Sequence, residues 1–124
     1  IFNLQEKVFF HGFRDDPDVW MAKSDCLFFP SYNEGMPLTL ARAIQIGIPV
    51  IASDIEPVSE MALGNNGLVK PGDLVAWKKA IETFLVTKQA PIAFDKGRIP
   101  TVAQMTQEVH SVYAAAISQK GESH

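Results

Sequence analysis

At 124 residues, 47% of them apolar, the chain has material for one small core and not two. Its net charge of −3, with acidic and basic residues mixed, excludes a basic field that would draw it to nucleic acid. No apolar stretch approaches the ~20 residues of a membrane helix, and the single cysteine, Cys26, excludes an intrachain disulfide and fits a reducing, cytoplasmic setting.

Ile1-Phe2-Asn3-Leu4 has no initiator Met, basic region or apolar leader, so it does not read as a signal peptide; the chain reads as entered in the middle of a domain. Val8-Phe9-Phe10-His11, closed by Gly12, has the continuous apolar character of a buried strand. Arg14-Asp15-Asp16-Pro17 supplies a turn and a helix start, with Asp16 as N-cap and Pro17 at the first helical position of a short helix over roughly 17–23. Cys26-Leu27-Phe28-Phe29-Pro30 is a second buried strand, in which Cys26 acts as a small hydrophobe.

After the loop Ser31 to Met36, Pro37 opens a helix to about Ile46. Leu40, Ala43, Ile44 and Pro37 lie on one stripe, and Gly47 is the C-cap. Pro49 to Ser53 is a third strand, Val58 to Leu63 a short helix, and Gly67-Leu68-Val69 a fourth strand after the turn Gly64-Asn65-Asn66. Asp73 caps a helix through about Thr87, with Leu74, Trp77, Ile81 and Leu85 expected on its buried face. A polar, proline-containing connection, 88–100, leads to a last helix with the stripe Val102, Met105, Val109, Val112 and Tyr113. A domain over 1–118 and a frayed polar tail over 119–124 complete the chain. Four alternations of strand and helix with short connections imply a parallel α/β sheet with flanking helices.

In such sheets ligands bind outside the carboxyl ends of the strands. That selects the loops Gly12 to Arg14, Ser31 to Met36 and Ser53 to Ile55. The second is the most informative. It runs into a helix whose first amides are unpaired and lie at the positive end of the dipole, an arrangement suited to phosphate. Pro37 has no N–H, so the donors are expected at Gly35, Met36, Leu38 and Thr39. Glu34, a carboxylate beside an anion site, can accept hydrogen bonds from sugar hydroxyls. Alternatively, Glu34 and Gly35 are only a polar loop and a helix cap.

Glu34-Gly35-Met36-Pro37-Leu38-Thr39-Leu40 and Gly47-Ile48-Pro49-Val50-Ile51-Ala52-Ser53-Asp54 resemble the signature of family 4 glycosyltransferases, the group 1 C-terminal domain. Val8 to Phe13, Ser24 to Ser31 and Asn66 to Asp73 match that pattern in order and spacing, so the resemblance covers roughly residues 6–118. It implies a Rossmann-like, C-terminal donor domain of the GT-B fold. It also implies transfer of a sugar from a nucleotide-sugar donor to a glycan or lipid-linked acceptor with retention.

By the same resemblance Phe13 and Arg14 lie beside the nucleobase, and Ser31 belongs to the donor loop. The amides after Glu34 hold the diphosphate, and Glu34 itself contacts the donor sugar. No bound metal or other cofactor is implied, because helix dipole and basic side chains balance the leaving diphosphate.

The sequence departs from the pattern twice. A second glutamate belongs at position 42, where it would accept bonds from the ribose; Arg42 can only donate, and is read either as a diphosphate contact or as an exposed helix residue. The family's first two strands of this domain, with an Arg and a Lys that clamp the diphosphate, have no counterpart in the sequence, nor has the acceptor domain. Arg14, Lys23 and Lys70 do not stand at the clamp position.

The missing strands belong between those at Val8 and Cys26. These two are therefore expected either to keep open apolar edges, which invites self-association, or to close up and pair directly. Any membrane association is expected to be peripheral, at the inner face, and to arise from the absent half. His11, His110, Glu56, Glu60, Trp20 and Trp77 read as packing, surface or structural residues. Two rival readings are a non-catalytic remnant or subunit that packs on a partner, and a sugar-nucleotide epimerase; the Glu-Gly-x-Pro block argues against the second.

Overall fold

The computed structural model describes residues 4–64 and 67–121. Their elements are α1 (Pro17–Ala22), β1 (Leu27–Phe29), α2 (Leu38–Ile46), β2 (Val50–Ala52), α3 (Glu56–Ser59), α4 (Leu74–Thr87) and α5 (Val102–Gly121), with a 3-10 turn at Lys96–Arg98. β1 and β2 pair in parallel, Leu27 opposite Val50 and Phe29 opposite Ala52. A third lane is a single bridge. Val69 donates to the Ala52 carbonyl at 2.9 Å and accepts from the Asp54 amide at 2.8 Å.

β2 is buried on both faces, and its period of two sends alternate residues to two separate clusters. Val50 and Ala52, with Phe29, meet Leu40, Ala43 and Ile44 of α2 and Val58 of α3. Ile51, with Val69, meets Trp77 and Phe84 of α4, and half-buried Cys26 packs at its margin. Burial is the first cause raising the Cys26 thiol pKa; Asp25 adds to it and the Ile51 backbone opposes it. Helices thus cover both faces of a parallel sheet, the Rossmann-like layering that the strand–helix alternation implies. Each fully buried Leu, Ile or Val here is worth about 1.5–3 kcal/mol.

The expected stripe of α2 is the observed one: Pro37, Leu40, Ala43 and Ile44 are buried, with Ala41. Gly47 ends the helix at φ 92°, a left-handed cap in which its amide donates to the Ala43 carbonyl at 2.9 Å. Asp73 caps α4 as expected, its carboxylate accepting from the Ala76 amide at 2.9 Å.

Several expectations are corrected. Val8–His11 is not a strand, and Phe10 is 96% exposed. A strand needs a neighbour for its peptide groups, and these residues have none; nor do they close up on β1, which is an edge strand among the described residues. Among the described residues the sheet is therefore two strands and a bridge rather than four strands. Asp16 holds the N-cap position of α1 as expected, but its side chain makes no capping bond, its carboxylate accepting instead from the Arg14 guanidinium at 2.8 Å.

Pro37 is the N-cap of α2 rather than its first helical residue, and α3 starts and ends earlier than expected. On α4, Trp77 and Phe84 are buried while Leu74 and Leu85 are exposed. The sheet that α4 covers is narrow, so only part of its apolar surface finds cover. The turn at Asn65-Asn66 and the last three tail residues lie outside the described residues; α5 runs through Gly121.

The largest correction concerns residues 88–100. This connection is a packed strap. Ile92 and Ile99 are buried, Phe94 bridges Ala62, and two cations tie the strap to helix ends. Lys96 Nζ donates to the Gln45 carbonyl at 3.0 Å, at the C-terminus of α2. Arg98 donates to the Glu60 and Ala62 carbonyls at 3.0 and 2.8 Å, just past α3. Carbonyls that helix ends leave unpaired accept readily from cations.

Candidate functional site

The carboxyl ends of β1 and β2 open on the same end of the sheet, because the strands are parallel and in register. β1 leads into the loop 30–37 and then into α2. Because Pro37 is the N-cap, the first helical amides are those of Leu38, Thr39 and Leu40. Leu38 donates to the Met36 carbonyl at 2.8 Å, and Ala41 is the first to donate back, to Pro37, at 2.9 Å. The amides of Thr39 and Leu40, and those of Gly35 and Met36 before them, have no acceptor among the described groups. Four backbone donors thus cluster at the positive end of α2. Leu40 was not among the expected donors; the shifted helix start adds it, while the amide of Leu38, which was, is already occupied.

Glu34 is half-buried, and its carboxylate accepts from Ser31 Oγ at 2.7 Å. The sequence selects both residues but not the bond between them; a hydroxyl three positions before a carboxylate in a tight loop is the signal that was available. At Gly35, φ is not in the left-handed region, and a Cβ built there would meet nothing within 4 Å. The fold by itself therefore does not require glycine at this position. Tyr32 leans across to the next loop: a Cβ on Gly72 would lie 3.2 Å from its hydroxyl.

Arg42 points along α2 toward α1 and pairs with Asp18 at 3.4 Å, both side chains more than half exposed. Such a pair contributes little, about 0–1 kcal/mol, and leaves the guanidinium free to exchange partners. Arg42 also lines an open cavity of about 440 Å³, with Met36, Thr39, Ile99 and Met105 among its walls. Phe13 is 93% exposed. Arg14 turns back onto α1, its guanidinium 4.5 Å from the Trp20 ring centre, where His11 also packs at 4.5 Å. The structure thus gathers Ser31, Glu34, Gly35, Met36, Leu38 and Thr39 into one loop and helix start. Arg42 stands one turn further along α2, Arg14 belongs to a separate cluster around Trp20, and Phe13 is exposed.

The profile of the family described as Glycosyl transferases group 1 matches residues 1–86, which include this loop and both strands. The chain belongs to that family. It is 40% identical over 58 residues to the O-antigen biosynthesis glycosyltransferase WclY of Escherichia coli, a match covering 47% of this chain and 16% of the relative. It is 38% identical over 68 residues to the UDP-Gal:alpha-D-GlcNAc-diphosphoundecaprenol alpha-1,3-galactosyltransferase of Escherichia coli, covering 55% and 16%. A longer match, 25% identical over 133 residues, is to the lipopolysaccharide 1,6-galactosyltransferase of Escherichia coli strain K12, covering 95% of this chain and 36% of the relative. The chain thus spans well under half the length of these relatives. Among the described residues no helix is long and apolar enough to cross a membrane.

Proposed function

We propose that this chain is the donor-binding part of a retaining, family 4 glycosyltransferase. In this reading it takes a nucleotide sugar as donor, and the complete protein passes the sugar to a glycan or lipid-linked acceptor in polysaccharide assembly. One observation carries the reading. The backbone donors of Gly35, Met36, Thr39 and Leu40 stand unpaired at the start of α2, directly after a carboxylate held in place by Ser31. Donors that need no reorganisation stabilise charge developing on a leaving diphosphate. The adjoining Glu34 carboxylate accepts from donor-sugar hydroxyls. In this proposal no metal is required, and Phe13 and Arg14 approach the nucleobase. Arg42 exchanges Asp18 for the diphosphate rather than reading the ribose. The setting proposed is cytoplasmic, peripheral to the inner membrane face.

Gly35 supplies the test. Since a Cβ there meets nothing, Gly35→Ala should leave the melting temperature unchanged. If the diphosphate lies against this backbone, the same change should weaken nucleoside diphosphate binding about tenfold, the equivalent of ~1.4 kcal/mol. Amide resonances of Gly35, Met36, Thr39 and Leu40 should be the ones that move in an NMR titration with UDP. Unchanged affinity in the variant, or movement confined to the Trp20 cluster, would place the anion elsewhere.

A further inference from the structure

α1 lies beside α2, and its half-buried Met21 packs on the core that α2 covers. Asp18 stands three residues before Met21, on the same face of the helix, so it too is turned toward α2. There it meets Arg42, its Oδ1 lying 3.4 Å from Nη1. The place of this pair in the fold matters. α1 leads through residues 23–26 into the amino end of β1, so its first turn lies at the opposite, carboxyl end, beside the loop 30–37. Asp16, at the start of the same helix, is already engaged by Arg14 at 2.8 Å. Asp18 is therefore the carboxylate that α1 brings to α2.

The unpaired amides of Gly35, Met36, Thr39 and Leu40 have a carboxylate on either side. Glu34 precedes them in the loop, and Asp18 stands beside Arg42, which follows them within one turn of α2. A nucleotide sugar whose diphosphate lies against those amides has its sugar at Glu34 and its nucleoside on the side of Arg42 and Asp18. The pair is weak, both side chains being more than half exposed, so a diphosphate within reach of the guanidinium competes for it. Asp18 is then left beside the nucleoside with both carboxylate oxygens open. Two acceptor oxygens on one carbon suit two neighbouring hydroxyls, which is the chemistry of a ribose diol.

We propose that Asp18 reads the ribose of the donor nucleotide, its carboxylate accepting from the 2′ and 3′ hydroxyls while Arg42 turns from Asp18 to the diphosphate. The assignment rests on the donor-site reading and divides the work between the two members of one ion pair. Asp18 distinguishes a ribonucleotide from a deoxyribonucleotide. Arg42 contributes affinity for any diphosphate and no preference for the sugar that carries it.

NMR titrations of the chain with UDP, 2′-deoxyuridine diphosphate and inorganic pyrophosphate separate the two roles, read at the amides of Gly35, Met36, Thr39 and Leu40. Wild type should bind UDP about fivefold more tightly than the deoxy form, the effect of one charge-assisted hydrogen bond at an exposed site. Asp18→Ala should remove that preference and leave pyrophosphate bound as well as before or better, since Arg42 is released. Arg42→Ala should weaken all three ligands by a similar factor and keep the preference. Both side chains are exposed, so neither change should move the melting temperature by more than about 3 °C. Equal binding of UDP and its deoxy form by wild type, or a preference that survives Asp18→Ala, would overturn the assignment. So would a loss on Asp18→Ala that pyrophosphate shares, which would reduce Asp18 to a prop for Arg42. Amides unmoved by all three ligands would bring down the donor-site reading, and the role of Asp18 with it.

Discussion

Ser53 stands at the carboxyl end of β2, fully buried, and its hydroxyl has no partner among the described groups. Its backbone is fully used, the amide donating to the Phe29 carbonyl at 3.0 Å and the carbonyl accepting from the Ile55 amide at 3.1 Å. An unpaired buried hydroxyl costs about 1–3 kcal/mol. Ser53→Ala removes that cost with little loss of volume, and should raise stability by about 1 kcal/mol, or roughly 3–5 °C in a thermal melt. A fall of similar size would mean that the hydroxyl is satisfied in solution, and would bring Ser53 into the site beside Glu34. Glu34 differs in kind: its partner, Ser31, is present at 2.7 Å, which fixes one carboxylate oxygen and leaves the other for a ligand.

Among the elements, the strap over 88–100 governs how α2, α3 and α5 are held together. Lys96 and Arg98 each place a cation on carbonyls at or just past a helix end, 51 and at least 36 residues away in sequence. Hydrogen bonds to charged groups are worth about 1.5–3 kcal/mol, less where the side chain is half exposed, as Arg98 is. Arg98→Ala should therefore cost about 1–2 kcal/mol in urea denaturation without a change in slope. Both bonds leave from a single nitrogen, Nη1, so Arg98→Lys should recover part of the loss, limited by the shorter reach of the ammonium. A loss below about 0.3 kcal/mol, within the range of an ordinary surface substitution, would mean that the strap is held by Ile92 and Ile99 alone.

For the molecule as a whole, the proposed anion site is backbone without a clamp among the described residues. Its donors are the amides of one loop and the first turn of α2, and the nearby guanidinium of Arg42 is shared with Asp18. A helix terminus contributes about 0.3–1 kcal/mol toward a charge at an exposed site. The isolated chain should accordingly bind UDP no better than millimolar, and calorimetric or NMR titration would measure it. Micromolar affinity would show that this narrow sheet already carries a complete site. The exposed Phe9, Phe10, Phe13 and Phe28, with the open edge of β1, make the molecule an incomplete layer in physical terms.

The sequence alone determined those features that depend on local chemistry. The stripe of Leu40, Ala43 and Ile44, the Gly47 cap and the Asp73 cap depend on helical period, backbone conformation and a carboxylate beside a free amide, and each was legible. So was the β2 run, whose unbroken apolar character requires cover on both faces, and so was the loop that holds Glu34 and Gly35. What only the tertiary structure decided depends on partners distant in sequence. An apolar run such as Val8–His11 becomes a strand only if another strand lies beside it, and among the described residues none does. Which face of α4 is buried depended on where Ile51 and Val69 lie beneath it, and Phe84 rather than Leu85 is inside with them. Lys96 and Arg98 look like solvated charges until the strap brings them to helix ends far away in sequence. The same holds for the donor set: with Pro37 capping rather than entering the helix, the unpaired helical amides are those of Thr39 and Leu40, one residue further on than expected.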